Sequence, residues 1–193
     1  MGTRHLTAVH VDGEYKIAQY GQWDGYPEGQ GKTVLTFART IASLEDRAAF
    51  AEKVRKCRWI TQAEIDQINA KIQSGEVKNW LKVWPALHRD TGAEILELVA
   101  KSDNGLALVN QIAFAADSLF CEWAWVIDLD AGTFEGYEGF NESHPLTEED
   151  RFYFLNDHAD GGYHPVKLAA KWSLDDLPTD ADFLAAFKKE EEE

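Results

Sequence analysis

The side chains best equipped for chemistry fall in one stretch, Gly21-Gln22-Trp23-Asp24-Gly25-Tyr26-Pro27-Glu28-Gly29-Gln30-Gly31. Its glycines reach backbone torsions that other residues resist, with Trp23, Asp24 and Tyr26 set among them. A Gly-rich loop feeding a helix start presents several N–H groups to an anion, and an exposed indole or phenol ring can stack on a flat ligand. Trp23, Asp24 and Tyr26 are therefore the candidate ligand-binding residues, with Arg4 and Lys32 as anion contacts. The segment Gly31-Lys32-Thr33 resembles the end of a phosphate-binding P-loop, but that motif needs Gly five positions before Gly31, where Tyr26 stands. The plainer reading is a connector from a hairpin to a helix.

Other sets carry weaker signals. Asp128 and Asp130 straddle a predicted strand end, and such an Asp-x-Asp pair can hold a divalent metal for phosphoryl chemistry; Asp130 equally suits a turn. Asp157, His158, Asp160 and His164 crowd around Gly161-Gly162 at a spacing that fits no zinc or calcium motif, so a polar turn accounts for them. Their imidazoles could transfer protons near neutral pH, yet no nucleophile stands beside them and no G-x-S-x-G motif occurs. Lys53, Arg55, Lys56 and Arg58 suit a solvated helix end or a contact for phosphate or an acidic partner. Arg89 and Asp90 are further candidates before Thr91 and Glu94, whose spacing predicts a helix cap. Cys57 and Cys121 lack neighbours at ligand spacing and read as small core residues of a reduced compartment. No metal and no cofactor are expected, and binding is favoured over catalysis.

The elements that must position these residues follow from periodicity. Leu6–Val11 and Tyr15–Tyr20 flank Asp12-Gly13 as a hairpin. Val34, Phe37, Ala38 and Ile41 repeat at helix spacing. Ser43 with Asp46, and Thr61 with Glu64, predict capped helices carrying Phe50, Ala51, Val54 and then Ile65, Ile68, Ile72. Val77, Trp80, Leu81 and Trp84 predict another helix before Pro85, and Ile95, Leu98 and Val99 one more behind Thr91. Leu119–Leu129 reads as a strand with Leu119, Cys121, Trp123, Trp125, Ile127 and Leu129 on one face. Thr133–Phe140 returns after a turn at Asp130-Ala131-Gly132. Val166, Leu168, Ala170 and Trp172 share one face of a last strand, and Thr179 caps a helix with Phe183, Leu184 and Phe187. Strands at both ends around a helical middle segment predict an α+β fold with a mainly antiparallel sheet, as one domain over 1–189 with an acidic tail over 190–193.

Charge narrows the partners. The 193 residues carry a net charge of −15. Residues 1–90 hold 13 basic and 11 acidic side chains (+2), leaving 6 and 23 (−17) for 91–193. Nucleic acid is an unsuitable partner for so acidic a half, since its binding needs Lys and Arg to displace counterions. That half suits a solvated surface or a protein partner. No leader-like or membrane-spanning run occurs, and no membrane association is expected, so a cytoplasmic location is the expectation. The near-neutral first half, with the aromatic loop, is where a small anionic ligand is expected.

Three stretches carry a resemblance: Gly2-Thr3-Arg4-His5-Leu6-Thr7-Ala8-Val9, Ala18-Gln19-Tyr20 running into Gly21–Gly31, and Cys121–Asp130. They resemble a family of small uncharacterised proteins found mainly in bacteriophages and prophages. The resemblance implies an accessory protein in the host cell cytoplasm and transfers no catalytic residues. Such proteins often oppose host defence, some by sequestering nucleotide signals. The first hairpin also resembles that of N-terminal-nucleophile hydrolases, which need Ser, Thr or Cys as the first processed residue; here Gly2 follows Met1, and Thr3 is one place too far. The resulting expectation is a non-catalytic protein binding a nucleotide-like or other anionic small ligand. A metal-assisted hydrolase using Asp128 and Asp130, and an acidic protein-binding inhibitor, are the alternatives.

Overall fold

A computed structural model describes residues 2–158 and 162–188. β1 (His5–Val11) and β2 (Glu14–Gly21) form the first hairpin. Asp12 and Gly13 both take positive φ (55° and 77°), the pairing whose twist matches flanking strands. The helical middle holds α1 (Lys32–Thr40), α2 (Leu44–Arg55), α3 (Gln62–Gln73), the single turn α4 (Trp80–Val83) and α5 (Ile95–Lys101). Two-residue strands β3 (Arg58–Trp59) and β4 (Ala107–Leu108) pair beside it. β5 (Trp123–Asp128), β6 (Thr133–Glu138) and β7 (Lys167–Ser173) complete the main sheet, followed by α6 (Asp180–Ala185). The sheet order is β2-β1-β5-β6-β7, antiparallel except where β5 inserts parallel to β1. The fold is α+β, as the strand and helix patterns predict. Among the described residues no helix is long and apolar enough to cross a membrane.

Both sheet faces are covered. Val9, Ile17, Trp125, Ile127 and Phe134 pack beneath α1, α2, α5 and α6, which contribute Leu35, Phe50, Val54, Leu96 and Phe183. On the other face, Leu6, Ala8, Ala124, Val126 and Tyr137 meet Ala115, Leu146, Phe152 and Leu155 from connecting segments. The caps hold as read: Ser43 accepts from the Asp46 N–H, Thr61 and Glu64 form a reciprocal box, and Thr179 accepts from Asp182.

Several expectations need correcting. β5 begins at Trp123 because Phe120 and Cys121 both donate their N–H groups to the Asp117 carbonyl, closing a turn. Leu119 and Phe120 are consequently exposed, and Cys121 lies in the core layer opposite the tryptophans. The helix expected around Trp80 and Trp84 is one turn, stopped ahead of Pro85, whose ring restricts the residue before it. Thr91 caps no helix: its hydroxyl donates to the Pro85 carbonyl. The Ile65, Ile68, Ile72 stripe is half-buried, and α3 has no buried residue.

Two bulges redistribute side chains between faces. Lys16 is skipped between the pairs Val9↔Ile17 and His10↔Tyr15, and Ala169 between Gly136↔Ala170 and Tyr137↔Leu168. One inserted residue moves everything beyond it to the opposite face. Tyr15 thereby joins His10, and Leu168 joins Tyr137 and Lys171, while Trp172 packs on the other face against Phe134 and Phe183. Simple alternation had placed Leu168 with Trp172.

Candidate functional site

The aromatic loop is locked to the sheet. Gly25 donates to the Thr3 carbonyl (2.9 Å) and accepts from the Trp125 indole N–H (2.9 Å, buried). Gln30 N–H reaches the Asp24 carbonyl (2.7 Å), and the Gln30 side chain accepts from Ala93 N–H (3.0 Å). Glycine is needed where this contact is closest: a Cβ on Gly31 would lie 2.7 Å from the Trp125 ring. The loop ends in a wide turn, Pro27–Gly31, kinked at Gly29. Asp24 adopts φ 55°, a left-handed conformation that Asp tolerates better than most residues.

On this frame Trp23 is 46% exposed, and its indole N–H donates to Asp90 Oδ1 (3.0 Å). The Gln22 N–H donates to the Arg89 carbonyl (3.0 Å), and the exposed Arg89 guanidinium lies 3.6 Å from Asp90. Tyr26 is also exposed, its hydroxyl donating to Asp24 Oδ1 (3.3 Å). The predicted Trp23, Asp24 and Tyr26 thus share a surface loop whose neighbours are Arg89 and Asp90. Lys32 instead pairs with Asp180 (2.8 Å), which also holds Arg39, and Arg4 lies 4.5 Å over the Phe120 ring. The basic cluster likewise serves the fold: Lys53 pairs with Asp103, Arg55 with Asp12 and Arg58 with Glu64, while Lys56 donates to the Asp103 carbonyl. Asp160, Gly161, the His158 side chain and residues 189–193 lie outside the described residues.

Beneath the loop lies His5, fully buried, with no hydrogen-bond partner on either ring nitrogen. The ring is so tightly wrapped that a Cβ on Gly21 would overlap it. Burial pulls its pKa down to about 3.

At the far end of β1 a groove of about 610 Å³ is lined by His10, Tyr15, Glu135, Tyr137, Arg151 and Lys171, among others. Arg151 forks between Glu135 (2.6 Å) and Asp128 (2.5 Å). Glu135 also accepts from Tyr137 (2.6 Å) and Thr133 (2.8 Å). Burial opposes the Glu135 charge, but the hydrogen bonds from Arg151, Tyr137 and Thr133 prevail and hold its pKa near about 2. Burial likewise opposes the Asp128 charge, yet the Ala131 N–H and Arg151 pull its pKa down. The Tyr137 phenol is driven up by burial and by Glu135. The Glu135–Arg151 pair escaped the sequence reading; its one trace was a glutamate at an inward-facing strand position. A second, apolar groove of about 430 Å³ runs between α3 and residues 83–87, over Ile60, Ile68, Trp84, Leu87 and Leu106.

No protein-family model matches the chain, and neither a curated protein nor a solved structure matches it.

Proposed function

We propose that the chain is a non-catalytic binding protein for a small, flat, anionic ligand of nucleotide-like chemistry, docking on Trp23, Tyr26 and Arg89. One observation carries this reading: the half-exposed Trp23 indole projects from a loop whose backbone is hydrogen-bonded to the core, with the ring direction set by Asp90. A rigid aromatic platform loses little freedom on binding, and stacking a base on one contributes ~1–3 kcal/mol. Arg89, more exposed than Lys32 and only loosely paired with Asp90, supplies the cation beside the ring. In a phage accessory protein, such binding would withdraw a nucleotide signal from the host.

Calorimetric titration with nucleoside monophosphates, diphosphates and a cyclic dinucleotide tests this. Saturable binding is expected for at least one, weakened about 10-fold or more by Trp23→Ala. Arg89→Ala should weaken the phosphorylated compounds but not the parent nucleosides. Binding unchanged in Trp23→Ala, or none to any of these ligands, would overturn the assignment.

A further inference from the structure

We infer that His10, Asp128 and Asp130 form a binding site for a first-row divalent metal ion, at the end of β1 opposite the aromatic loop. The inference is independent of the ligand proposed for that loop. His10 and Asp128 are register partners across the parallel β1–β5 pair, so both side chains leave the same sheet face. Asp130 follows in the β5–β6 turn. His10 Nδ1 lies 3.3 Å from Asp130 Oδ2 and 3.6 Å from Asp128 Oδ2, and one ligand atom from each of the three residues falls within 4.8 Å of the others. Metal–nitrogen and metal–oxygen bonds of ~2.0–2.2 Å put neighbouring ligands of one ion roughly 3–3.5 Å apart. The two His10 distances are near that spacing, and side-chain rotation would draw the set, which spans no more than 4.8 Å, around one ion beside Arg151.

The surroundings fix each ligand before any ion arrives. Asp128 Oδ1 accepts the Asp130 and Ala131 N–H groups (3.0 and 2.8 Å), which leaves Oδ2 turned toward His10 and Arg151. Asp130 accepts the N–H groups of Asp12 and Gly13 (2.9 Å each), which join the two hairpin turns through its carboxylate. The His10 ring stands edge-on to Tyr15 at 5.2 Å, in a position created by the bulge at Lys16.

A second observation points to a ligand. His10 Nδ1 is shielded from solvent yet makes no hydrogen bond, because neither carboxylate meets it at bonding geometry. The nitrogen thus lies between two carboxylate oxygens, 3.3 and 3.6 Å away, with its lone pair free of any competing donor. The charge is suitable: Asp128, Asp130 and Glu135 face Arg151 and Lys171, which leaves one net negative charge for the cation. Imidazole with carboxylates suits Mn²⁺ or Zn²⁺ better than the all-oxygen preference of Ca²⁺. Three protein ligands leave coordination positions for water or substrate, and His10 opens onto the groove lined by Arg151 and Lys171.

Calorimetric titration of the chelator-treated whole chain with Mn²⁺ and with Zn²⁺ tests the site. One equivalent is expected to bind, with affinity at least ~10-fold weaker in His10→Gln. Because His10 Nδ1 makes no hydrogen bond, that variant should keep the wild-type circular dichroism spectrum. Should it fail to fold, Mn²⁺ broadening of the His10 ring signals in the wild-type chain gives the same answer by NMR. Absence of saturable binding overturns the inference. So does equal affinity in a folded His10→Gln variant, or broadening confined to other residues.

Discussion

A single buried histidine carries a large desolvation effect. His5 is sealed between the first strand and the loop, and with no partner it stays neutral down to a pH of about 3. Its ordinary value is 6.5. The folded value is depressed, so the unfolded chain takes up a proton that the native chain refuses. Stability therefore falls as the pH drops from about 6.5 toward about 3, at up to ~1.4 kcal/mol per pH unit. Urea unfolding at pH about 7 and about 5 should show this loss in the wild type and a shallower one in His5→Asn. Comparing the two slopes removes whatever the variant costs in packing, and equal slopes would show that another group titrates. The contrast with Trp23 and Tyr26 shows what the sequence displays at this scale. Aromatic side chains in a glycine-rich loop announce exposure by local composition. The engagement of Lys32 and Arg4 depends on Asp180 and Phe120, more than a hundred residues away in the chain, and no local spacing reveals a partner that distant.

Elements whose signals are local were legible for the same reason. The Asp12-Gly13 hairpin and the caps at Ser43, Thr61 and Thr179 need only three or four neighbouring residues. Thr91 has the same spacing to Glu94, yet its hydroxyl goes to Pro85, because tertiary packing offers a nearer acceptor. The bulges at Lys16 and Ala169 depend on the partner strand, so the groove they shape could not be read from alternation. A cap can also be correct while the element it starts remains weakly held. α3 has its complete capping box but buries none of its residues, and Ile68 only lines the apolar groove. Thr61→Ala should cost about 1 kcal/mol of cap stability. The cost should appear as local opening: amide exchange across α3 about 5-fold faster, with the global urea midpoint nearly unchanged. A full shift of that midpoint would mean that α3 unfolds only with the core.

At the scale of the whole molecule, the division of charge along the chain closes on itself. Lys32, Arg39, Arg47 and Lys53 of the near-neutral half pair with Asp180, Asp175 and Asp103 of the acidic half. Such surface pairs contribute only ~0–1 kcal/mol each, so they orient the C-terminal segment and the turn after α5 more than they hold them. The buried pair is different. Arg151 ties its connecting segment to β5 and β6 through Asp128 and Glu135, and both carboxylates are almost wholly enclosed. Arg151→Met would fit the space but leave Asp128 without its guanidinium and Glu135 with only the half-exposed Lys171, a loss of roughly 3–5 kcal/mol near neutral pH. The sign of its pH dependence separates lost charge pairing from lost packing. In the wild type, Glu135 has a pKa depressed to about 2 from 4.5, so its contribution is present above about 4.5 and disappears as the pH falls toward about 2. Without Arg151, burial acts on the carboxylates with less opposition and raises their pKa values. Acid then neutralises the stranded charges, and the penalty of the variant relative to wild type should shrink between pH about 7 and about 5. Taking the difference at each pH cancels the His5 effect, which both proteins share. A penalty that stays constant across that range would assign Arg151 to packing alone and remove it as the electrostatic clamp between the sheet and its second covering layer.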